Sequence, residues 1–200
     1  DRIFTFGKNR ELVQDNPCGD VKKELPASEK NHFAATTNPM NFAEILRKMY
    51  SYENGTPVVQ AALKLAPILF VRPCNLRMAE WQEFDLDSGF WLIPAKKMKT
   101  RKNLKNTNER YVVPLPSQAV KILRELYSLT GNSGCLFPGQ GKNKFMSNGT
   151  LNKALNTLGI STESEQTGHG FRAVARTMLR EQLRQNKDVI ELQLDHVVKD

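Results

Sequence analysis

Gly168-His169-Gly170-Phe171-Arg172-Ala173 decides the fold, because the residues that follow continue as a helix with two different faces. Apolar residues recur there at helical spacing and define one buried stripe: Phe171, Val174, Ala175, Met178 and Leu179. Basic residues occupy the opposite side: His169, Arg172, Arg176 and Arg180. Thr167 and Gly168 suit a helix start, where unpaired N–H groups and the positive dipole end can bind a phosphate. A solvated basic helix face is the alternative interpretation.

The charge of the chain is concentrated in one place. The 200 residues carry 29 Lys and Arg against 21 Asp and Glu, a net charge of +8. One basic segment, residues 96–110, holds +6 of this, with Glu109 as its single acid and seven cations: Lys96, Lys97, Lys99, Arg101, Lys102, Lys105 and Arg110. Such an excess indicates a polyanionic partner. Nucleic acid fits better than a membrane, because the sequence has no long uncharged apolar run.

The cysteines and histidines exclude a zinc site and a disulfide framework. Cys18, Cys74 and Cys135 are odd in number and widely separated, which is typical of reduced thiols in a cytosolic protein. With three histidines in the chain, no zinc-binding pattern can be written. The sequence has no signal peptide and does not begin with Met, so we expect a fragment of a longer protein.

The first half of the chain predicts helices after a linker. Residues 1–12 look like the tail of a helix, and residues 14–38 lose apolar periodicity, as expected of a linker. An amphipathic helix begins near Phe42, and Thr56-Pro57 caps and opens a buried helix over residues 58–71, with a kink at Pro67.

Arg72 lies between that buried helix and a second one, which we expect to begin at Pro73 and run to about Trp81. Because the residue before proline is pushed out of the helical region, Arg72 is expected to be extended. An arginine at the mouth of a buried junction is costly unless an anion meets it. A ligand could supply that anion, or Glu80 or Glu83 could pair with Arg72 instead.

The second half predicts a small sheet and further helices. Phe84 to Leu86 and Phe90 to Ile93 form a predicted β-hairpin, Tyr111 to Leu115 is a third strand, and the basic segment joins the last two as a polar, mobile hairpin. Helices are expected from Pro116 to about Leu129, after a Ser147 cap until Gly159, from His169, and over Val189 to Leu194. The predicted fold class is mainly α with a small antiparallel β-sheet (α+β).

These motifs occur in a recognisable order. An arginine before a helix (Arg72), a lysine in a basic hairpin (Lys99), His169-x-x-Arg172 and Leu194-x-His196 follow one another. In this order the chain resembles the tyrosine recombinases, and within them the integrases of temperate phages and genomic islands that insert at tRNA genes. Further stretches carry the likeness: Phe70-Val71-Arg72-Pro73, Ala79-Glu80-Trp81, Phe84-Asp85-Leu86-Asp87, Trp91-Leu92-Ile93-Pro94-Ala95, Met98-Lys99, Val113-Pro114-Leu115, Met146-Ser147, Leu151-Asn152, Gly168 to Ala173, and, more weakly, Arg2-Ile3-Phe4 and Asn16-Pro17.

The resemblance implies the fold of a recombinase catalytic domain over residues 39–200, preceded in residues 1–38 by the end of a core-binding domain and a linker. Two departures stand out. Many relatives carry an acid where this chain has Asn75, and the nucleophilic tyrosine lies beyond Leu-x-His, past Asp200. We therefore expect the domain to be truncated before its nucleophile, and this fragment to be inactive alone.

The implied reaction is cleavage and rejoining of DNA strands through a 3′-phosphotyrosine intermediate, without metal or other cofactor, in the integration or excision of a prophage or genomic island. Arg72 and Arg172 would clamp the charge that develops on the phosphate. Lys99 would protonate the leaving 5′ oxygen, with Lys97 as the second choice. His169 would assist proton transfer with the tyrosine, and His196 would donate a hydrogen bond to a phosphate oxygen.

The partners follow from the same resemblance: duplex DNA attachment sites, four protomers assembled on them, and accessory DNA-bending proteins, in the bacterial cytoplasm at the nucleoid. The residues expected to contact DNA are Lys96, Lys97, Arg101, Lys102, Lys105 and Arg176. Two alternatives stay open: a type IB topoisomerase-like enzyme, and a catalytically inactive DNA-binding remnant of which Asn75 would be a first sign. Survival of all five matching basic residues favours the enzyme.

Overall fold

A computed structural model describes residues 2–25, 32–99, 108–141 and 144–196 of the chain. The chain divides into two compact units, residues 1–32 and residues 33–200. The first unit contains α1 (Arg2–Asn9) and α2 (Cys18–Glu24). The helix predicted near the start is confirmed, whereas α2 lies where we expected a linker without structure. Asn16 supplies a local signal for it, since its side chain accepts a hydrogen bond from Cys18 N at 3.0 Å.

The second unit is mostly helical with one three-stranded sheet, which confirms the predicted fold class. Its helices are α3 (Pro39–Tyr50), α4 (Pro57–Leu69), α5 (Pro73–Arg77), α6 (Ser117–Thr130), α7 (Thr150–Thr157), α8 (Gly170–Glu181) and α9 (Lys187–Gln193). The strands β1 (Phe84–Asp85), β2 (Phe90–Pro94) and β3 (Arg110–Pro114) are antiparallel in the order β1-β2-β3. Among the described helices, none is long and apolar enough to cross a lipid bilayer.

Helix α4 is the centre of the core. It contacts α3, α6, α7 and α8, and its side chains include the fully buried Leu63 and Leu65. The predicted start is confirmed: the Thr56 side chain accepts a hydrogen bond from Val59 N, and Pro57 occupies the first turn. Pro67 lies inside the helix, which ends two residues later when Phe70 enters the left-handed region at φ 36°.

Helix α5 is shorter than the sequence suggests. It ends at Arg77 rather than near Trp81, because another segment uses the backbone groups that a longer helix would need. Ala79 O accepts from Leu136 N at 3.0 Å, and Trp81 N donates to Gly134 O at 3.0 Å. Arg72 is extended (φ −60°, ψ 136°), as expected of a residue before proline.

The sheet places the first residues of the basic segment, 96–98, next to the core. Alternate side chains of β2 and β3 are buried, among them Trp91 and Val113, and Trp91 stacks on Phe84 with ring centroids 4.9 Å apart. Residues 95–97 form a 3₁₀ turn directly after β2. The predicted DNA contacts Arg101, Lys102 and Lys105 lie outside the described residues.

For α7, the predicted start at a Ser147 cap is wrong and the predicted end at Gly159 is confirmed. Ser147 does not cap α7, because the capping position is Gly149 and the Ser147 hydroxyl bonds to Thr150 Oγ1 at 2.8 Å. Gly159 follows the end of α7 as predicted, with φ +71°, a conformation that favours glycine.

The Asn38 cap of α3 provides a test of these local signals. Its side chain accepts hydrogen bonds from Met40 N (3.0 Å) and Asn41 N (3.2 Å). Asn38→Ala removes both acceptors and should lower the free energy of unfolding by about 1 kcal/mol in urea titrations. Asn38→Ser keeps an acceptor and should retain most of that stability. Equal losses in both variants would show that the cap does not stabilise α3.

Candidate active site

Two backbone N–H groups around the start of α8 already have partners within the protein. Thr167 Oγ1 accepts a hydrogen bond from Gly170 N at 2.8 Å, and Asn152 Oδ1 accepts from Gly168 N at 2.9 Å. His169 precedes the helix in helical conformation (φ −77°, ψ −32°). These two N–H groups are therefore not open to a ligand.

Arg172 is buried, with 6% of its surface exposed, so the alternative interpretation of a solvated basic helix face does not hold for this residue. The reason is that α9 and the turn after it cover this side of α8. The guanidinium donates to Phe70 O (3.0 Å) and Leu194 O (2.6 Å). Burial, and next the charge of Arg72, lower the pKa of Arg172 to about 10, so it remains a cation at neutral pH.

Arg72 pairs with Asp195 and not with Glu80 or Glu83, the intramolecular alternatives suggested by the sequence. Its Nη1 lies 2.6 Å from Asp195 Oδ2, and its Nη2 donates to Asp195 O at 3.0 Å. Both side chains are largely buried, with 12% and 6% of their surface exposed. The residues 194–196, which we call the 194–196 turn, thus hold both arginines.

The backbone around the two arginines is strained. Phe70 and Asp195, whose carbonyls accept from Arg172 and Arg72, have φ values of 36° and 51°. A residue other than glycine rarely adopts the left-handed region, although aspartate is tolerated better than most. Such strain persists where the surroundings impose it, and it concentrates at functional sites.

His196 completes the turn through a carboxylate. Its Nδ1 lies 2.5 Å from Glu191 Oε2, and its Nε2 lies 3.1 Å from Arg172 Nη2. Because an ionised carboxylate only accepts and a guanidinium only donates, these contacts assign the proton to Nδ1 and leave Nε2 as an acceptor. Burial would raise the pKa of Glu191, but hydrogen bonds from His196 and Arg176 outweigh it and lower this pKa.

Arg176, expected to contact DNA, is engaged by the same carboxylate. Its Nε donates to Glu191 Oε1 at 2.6 Å, while its side chain stays 55% exposed. Arg176 therefore orients Glu191, which in turn orients His196. The sequence offered no signal for Glu191, because the contact depends on how α9 packs against α8.

Arg72, Lys99 and His169 meet at one open pocket of about 310 Å³. Phe33, Arg77 and Asn152 also line it. Arg172 lies beside it, on a small neighbouring cavity that it shares with Arg72. Lys99 is exposed, whereas the alternative acid, Lys97, is absent from the described lining. The structure thus places three of the five predicted catalytic side chains on one pocket and Arg172 on the neighbouring cavity. His196 contacts Arg172.

The pocket keeps His169 uncharged. Partial burial is the largest cause that lowers the pKa of His169, and four neighbouring groups act in the same direction: Arg172, Arg72, Lys99 and His196. The sign is clear, since burial and nearby cations both disfavour the imidazolium. At neutral pH, His169 is consequently ready to accept a proton.

Arg77 is a pocket residue that the sequence analysis missed. Its Nη1 donates to Met146 O at 3.1 Å. Within the described ranges, its Nε is the buried side-chain nitrogen that lacks a hydrogen-bond partner. The sequence signal that could have identified Arg77 was its position on α5, the short helix that begins directly after Arg72. Arg77 lines the pocket from this helix.

Lys97 belongs to a buried ion network. Its ammonium contacts Glu83 Oε1, lies 3.3 Å from Glu80 Oε2 and donates to Met78 O at 2.8 Å. The hydrogen bond from Lys144 is the largest cause that lowers the pKa of Glu80, to about 2. Lys97 thereby fixes the start of the basic segment, two residues before Lys99.

The cysteines and the possible metal ligands in the described part of the chain form no further site. Cys18, Cys74 and Cys135 are free thiols, and burial raises the pKa of Cys135. Across the described ranges, no group of three or more His, Cys, Asp or Glu side chains could hold a metal ion.

Comparison with known proteins gives consistent matches. The phage integrase family matches residues 40–199. The integrase of Enterobacteria phage P4 is 35% identical over 201 residues, covering 97% of this chain and 45% of that protein. Prophage integrase IntZ of Escherichia coli (strain K12) is 34% identical over 198 residues, covering 98% of this chain and 46% of IntZ. The chain therefore spans less than half of either relative.

Solved structures share the fold. XerA recombinase aligns with a TM-score of 0.61 at 17% identity, covering 98% of this chain and 64% of the other. A lambda integrase tetramer bound to a Holliday junction aligns with a TM-score of 0.62 at 15% identity, covering 98% and 55%. The predicted recombinase catalytic-domain fold is confirmed.

The ion network leads to a stability prediction. Lys97→Met leaves Glu83 buried beside an apolar side chain and should lower the free energy of unfolding by about 3–5 kcal/mol, measured in urea. Lys96→Met, at the exposed neighbouring position, should change it by less than about 0.5 kcal/mol. Adding Glu83→Gln to Lys97→Met should recover part of the loss. A Lys97→Met variant as stable as Lys96→Met would contradict the network.

Proposed function

The chain belongs to the phage integrase family, and we propose that it is the catalytic part of a site-specific tyrosine recombinase. In this proposal, it cleaves and rejoins DNA strands through a 3′-phosphotyrosine and so integrates or excises a prophage or genomic island. Residues 1–38 are the end of a core-binding domain and a linker, residues 39–200 are the catalytic domain, and the nucleophilic tyrosine lies downstream of residue 200.

One observation carries the proposal: Arg72, Lys99 and His169 line one open pocket, and Arg172 lies on a small neighbouring cavity that Arg72 also lines. A transition state at phosphorus gathers negative charge on the non-bridging oxygens, which forked guanidinium donors stabilise. Arg72 and Arg172 are held in place before substrate arrives by Asp195 and by backbone carbonyls. Because a guanidinium has five N–H donors, Arg72 can keep these contacts while it donates to a phosphate.

Proton transfer is assigned to side chains of different mobility. Lys99 is exposed at the rim of the pocket and would protonate the 5′ oxygen as it leaves. His169, uncharged at neutral pH, would accept the tyrosine proton. His196 accepts from Arg172 in this arrangement, so it can donate to a phosphate oxygen only after Nε2 gains a proton.

Asn75 does not argue for an inactive remnant. It is buried, with its amide 2.9 Å from Met98 Sδ and its carbonyl accepting from the Cys74 thiol at 3.2 Å. Asp195 supplies the carboxylate that Arg72 needs, so loss of an acid at position 75 leaves Arg72 paired. A type IB topoisomerase would share this chemistry, but the match to the phage integrase family favours recombination.

The partners are proposed on the same basis. Structural relatives include a lambda integrase dimer bound to a core site and a lambda integrase tetramer bound to a Holliday junction. We expect this chain to bind duplex DNA attachment sites as a homotetramer, with accessory DNA-bending proteins, in the bacterial cytoplasm at the nucleoid. Exposed Lys96 and the cations of residues 100–107 would add phosphate affinity that is independent of DNA sequence.

A covalent-trapping assay tests the proposal. A full-length protein that contains residues 1–200 and the downstream tyrosine should form a protein–DNA adduct with a nicked suicide substrate. Arg72→Ala and Arg172→Ala should each slow its formation by at least about a hundredfold, because one transition-state donor is lost. Arg180→Ala is the matched control, since Arg180 is an exposed arginine on the same helix, and should have little effect. Adduct formation at wild-type rate by both pocket variants would exclude the proposed site.

A sulfur-bridged substrate identifies the acid. Replacing the 5′ bridging oxygen by sulfur makes the leaving group a thiolate, which needs no protonation because thiol pKa values are about 8.5. Lys99→Ala should therefore cleave normal DNA slowly and the sulfur-bridged DNA at near the wild-type rate. Arg172→Ala should stay slow on both. Rescue of Lys97→Ala instead of Lys99→Ala would move the acid to the ion network.

A further inference from the structure

The segment just before α3 is part of the active site's framework. Residues 33–36, the strap, are hydrogen-bonded to residues 165–167, immediately before His169. Ala34 O accepts from Thr167 N (3.0 Å) and Thr167 Oγ1 (3.2 Å). Thr36 donates through its backbone N to Gln166 Oε1 (3.0 Å) and through its hydroxyl to Glu165 O (2.8 Å). The strap is thus tied to the start of α8 at four points.

Gly170 shows how closely the strap approaches. A Cβ at this position would lie 2.1 Å from Ala34 O, a backbone atom that cannot turn aside, and 2.8 Å from Gln166 Nε2. Gln166 is itself fully buried and donates to Thr167 O at 2.9 Å. Backbone packing of this kind leaves little freedom to the first residue of the strap, Phe33.

Phe33 uses this fixed position to contact a catalytic side chain. Its ring centroid lies 4.3 Å from that of His169, with the planes at 41°, and both residues line the pocket. Phe33 itself is 61% exposed, so it contributes little to the core. Because this large apolar ring is mostly exposed and rests on one imidazole, it affects His169 rather than the stability of the core.

We propose that Phe33 is a positioning residue that fixes the His169 ring over the pocket and shields one of its faces from water. This inference rests on the proposed function only for its catalytic consequence. The strap then joins the active site, although the sequence analysis assigned it to a linker. Four charged or titratable groups act on His169: Arg172 on the helix that His169 precedes, and Arg72, Lys99 and His196 on other elements.

Shielding by Phe33 changes the pKa of His169 in a defined direction. Removing water from an imidazole disfavours its charged form, so Phe33 helps to lower the pKa of His169. Loss of the ring should raise this pKa, while the four neighbouring cations and titratable groups remain. In the recombinase, a larger share of His169 would then be protonated on the acid side of neutrality and unable to accept the tyrosine proton.

Titration of the 200-residue chain by NMR tests the inference without any DNA. The chain has three histidines, His32, His169 and His196, so the His169 signal can be assigned with His169→Gln. Phe33→Ala should move the His169 titration midpoint to higher pH. It should also abolish the ring-current shift that the Phe33 ring causes on the ring protons of His169. Phe33→Leu should abolish the ring-current shift while keeping more of the shielding. Phe90→Ala, which removes another exposed phenylalanine from β2, should change neither.

An unchanged midpoint and unchanged ring shifts in Phe33→Ala would overturn the inference, with Phe33→Leu as the second variant should the alanine variant lose its fold. In the full-length protein, Phe33→Ala should move the acid limb of the cleavage profile to higher pH. An altered titration together with a wild-type protein that cannot cleave would refute the proposed function and support the role of Phe33. Normal cleavage with an unaltered titration would support the proposed function and refute the role of Phe33.

Discussion

The guanidinium groups of Arg72 and Arg172 have the same charge, are largely buried and lie side by side, and the structure depends on what holds them there. The 194–196 turn supplies the answer, with the Asp195 carboxylate and two backbone carbonyls as acceptors. Phe70 O adds a further acceptor from the end of α4. Without these groups, the desolvation of two cations would have no compensation. The strained φ values of Phe70 and Asp195 are the cost of directing the carbonyls inward.

A second set of contacts determines which lysine faces the pocket. Lys97 is held by two carboxylates, and Met98 is buried against Asn75, so residues 97 and 98 have fixed positions. Lys99 is the first residue of the basic segment that is free to extend over the pocket. The distinction between two lysines that differ by two positions therefore comes from Glu80 and Glu83, which belong to a different part of the chain.

Local rules made much of this fold predictable. Thr56-Pro57 and Arg72-Pro73 specify backbone conformations within one or two residues, and both predictions are confirmed. The partners of the arginines could not be predicted, because Arg72 and Asp195 are 123 residues apart and meet only through packing of α9. The same reason explains the burial of Arg172 and the contact of Phe33 with His169. The end of α5 was also missed, since the backbone groups that bond to Ala79 O and Trp81 N belong to residues beyond position 130.

The separation between Arg72 and the 194–196 turn also sets the order in which the site can assemble. Contacts across more than a hundred residues form late, since the entropy of closing such a loop is lost before the contact contributes. During synthesis the chain emerges from its N-terminus, so Arg72 leaves the ribosome 123 residues before its acceptor Asp195. Arg172 follows Phe70, one of its acceptors, and precedes Leu194, the other, by 22 residues. Until residue 196 has joined the folded domain, neither guanidinium has its final orientation. The nascent protein thus contains Arg72 long before it contains the carboxylate that orients this side chain.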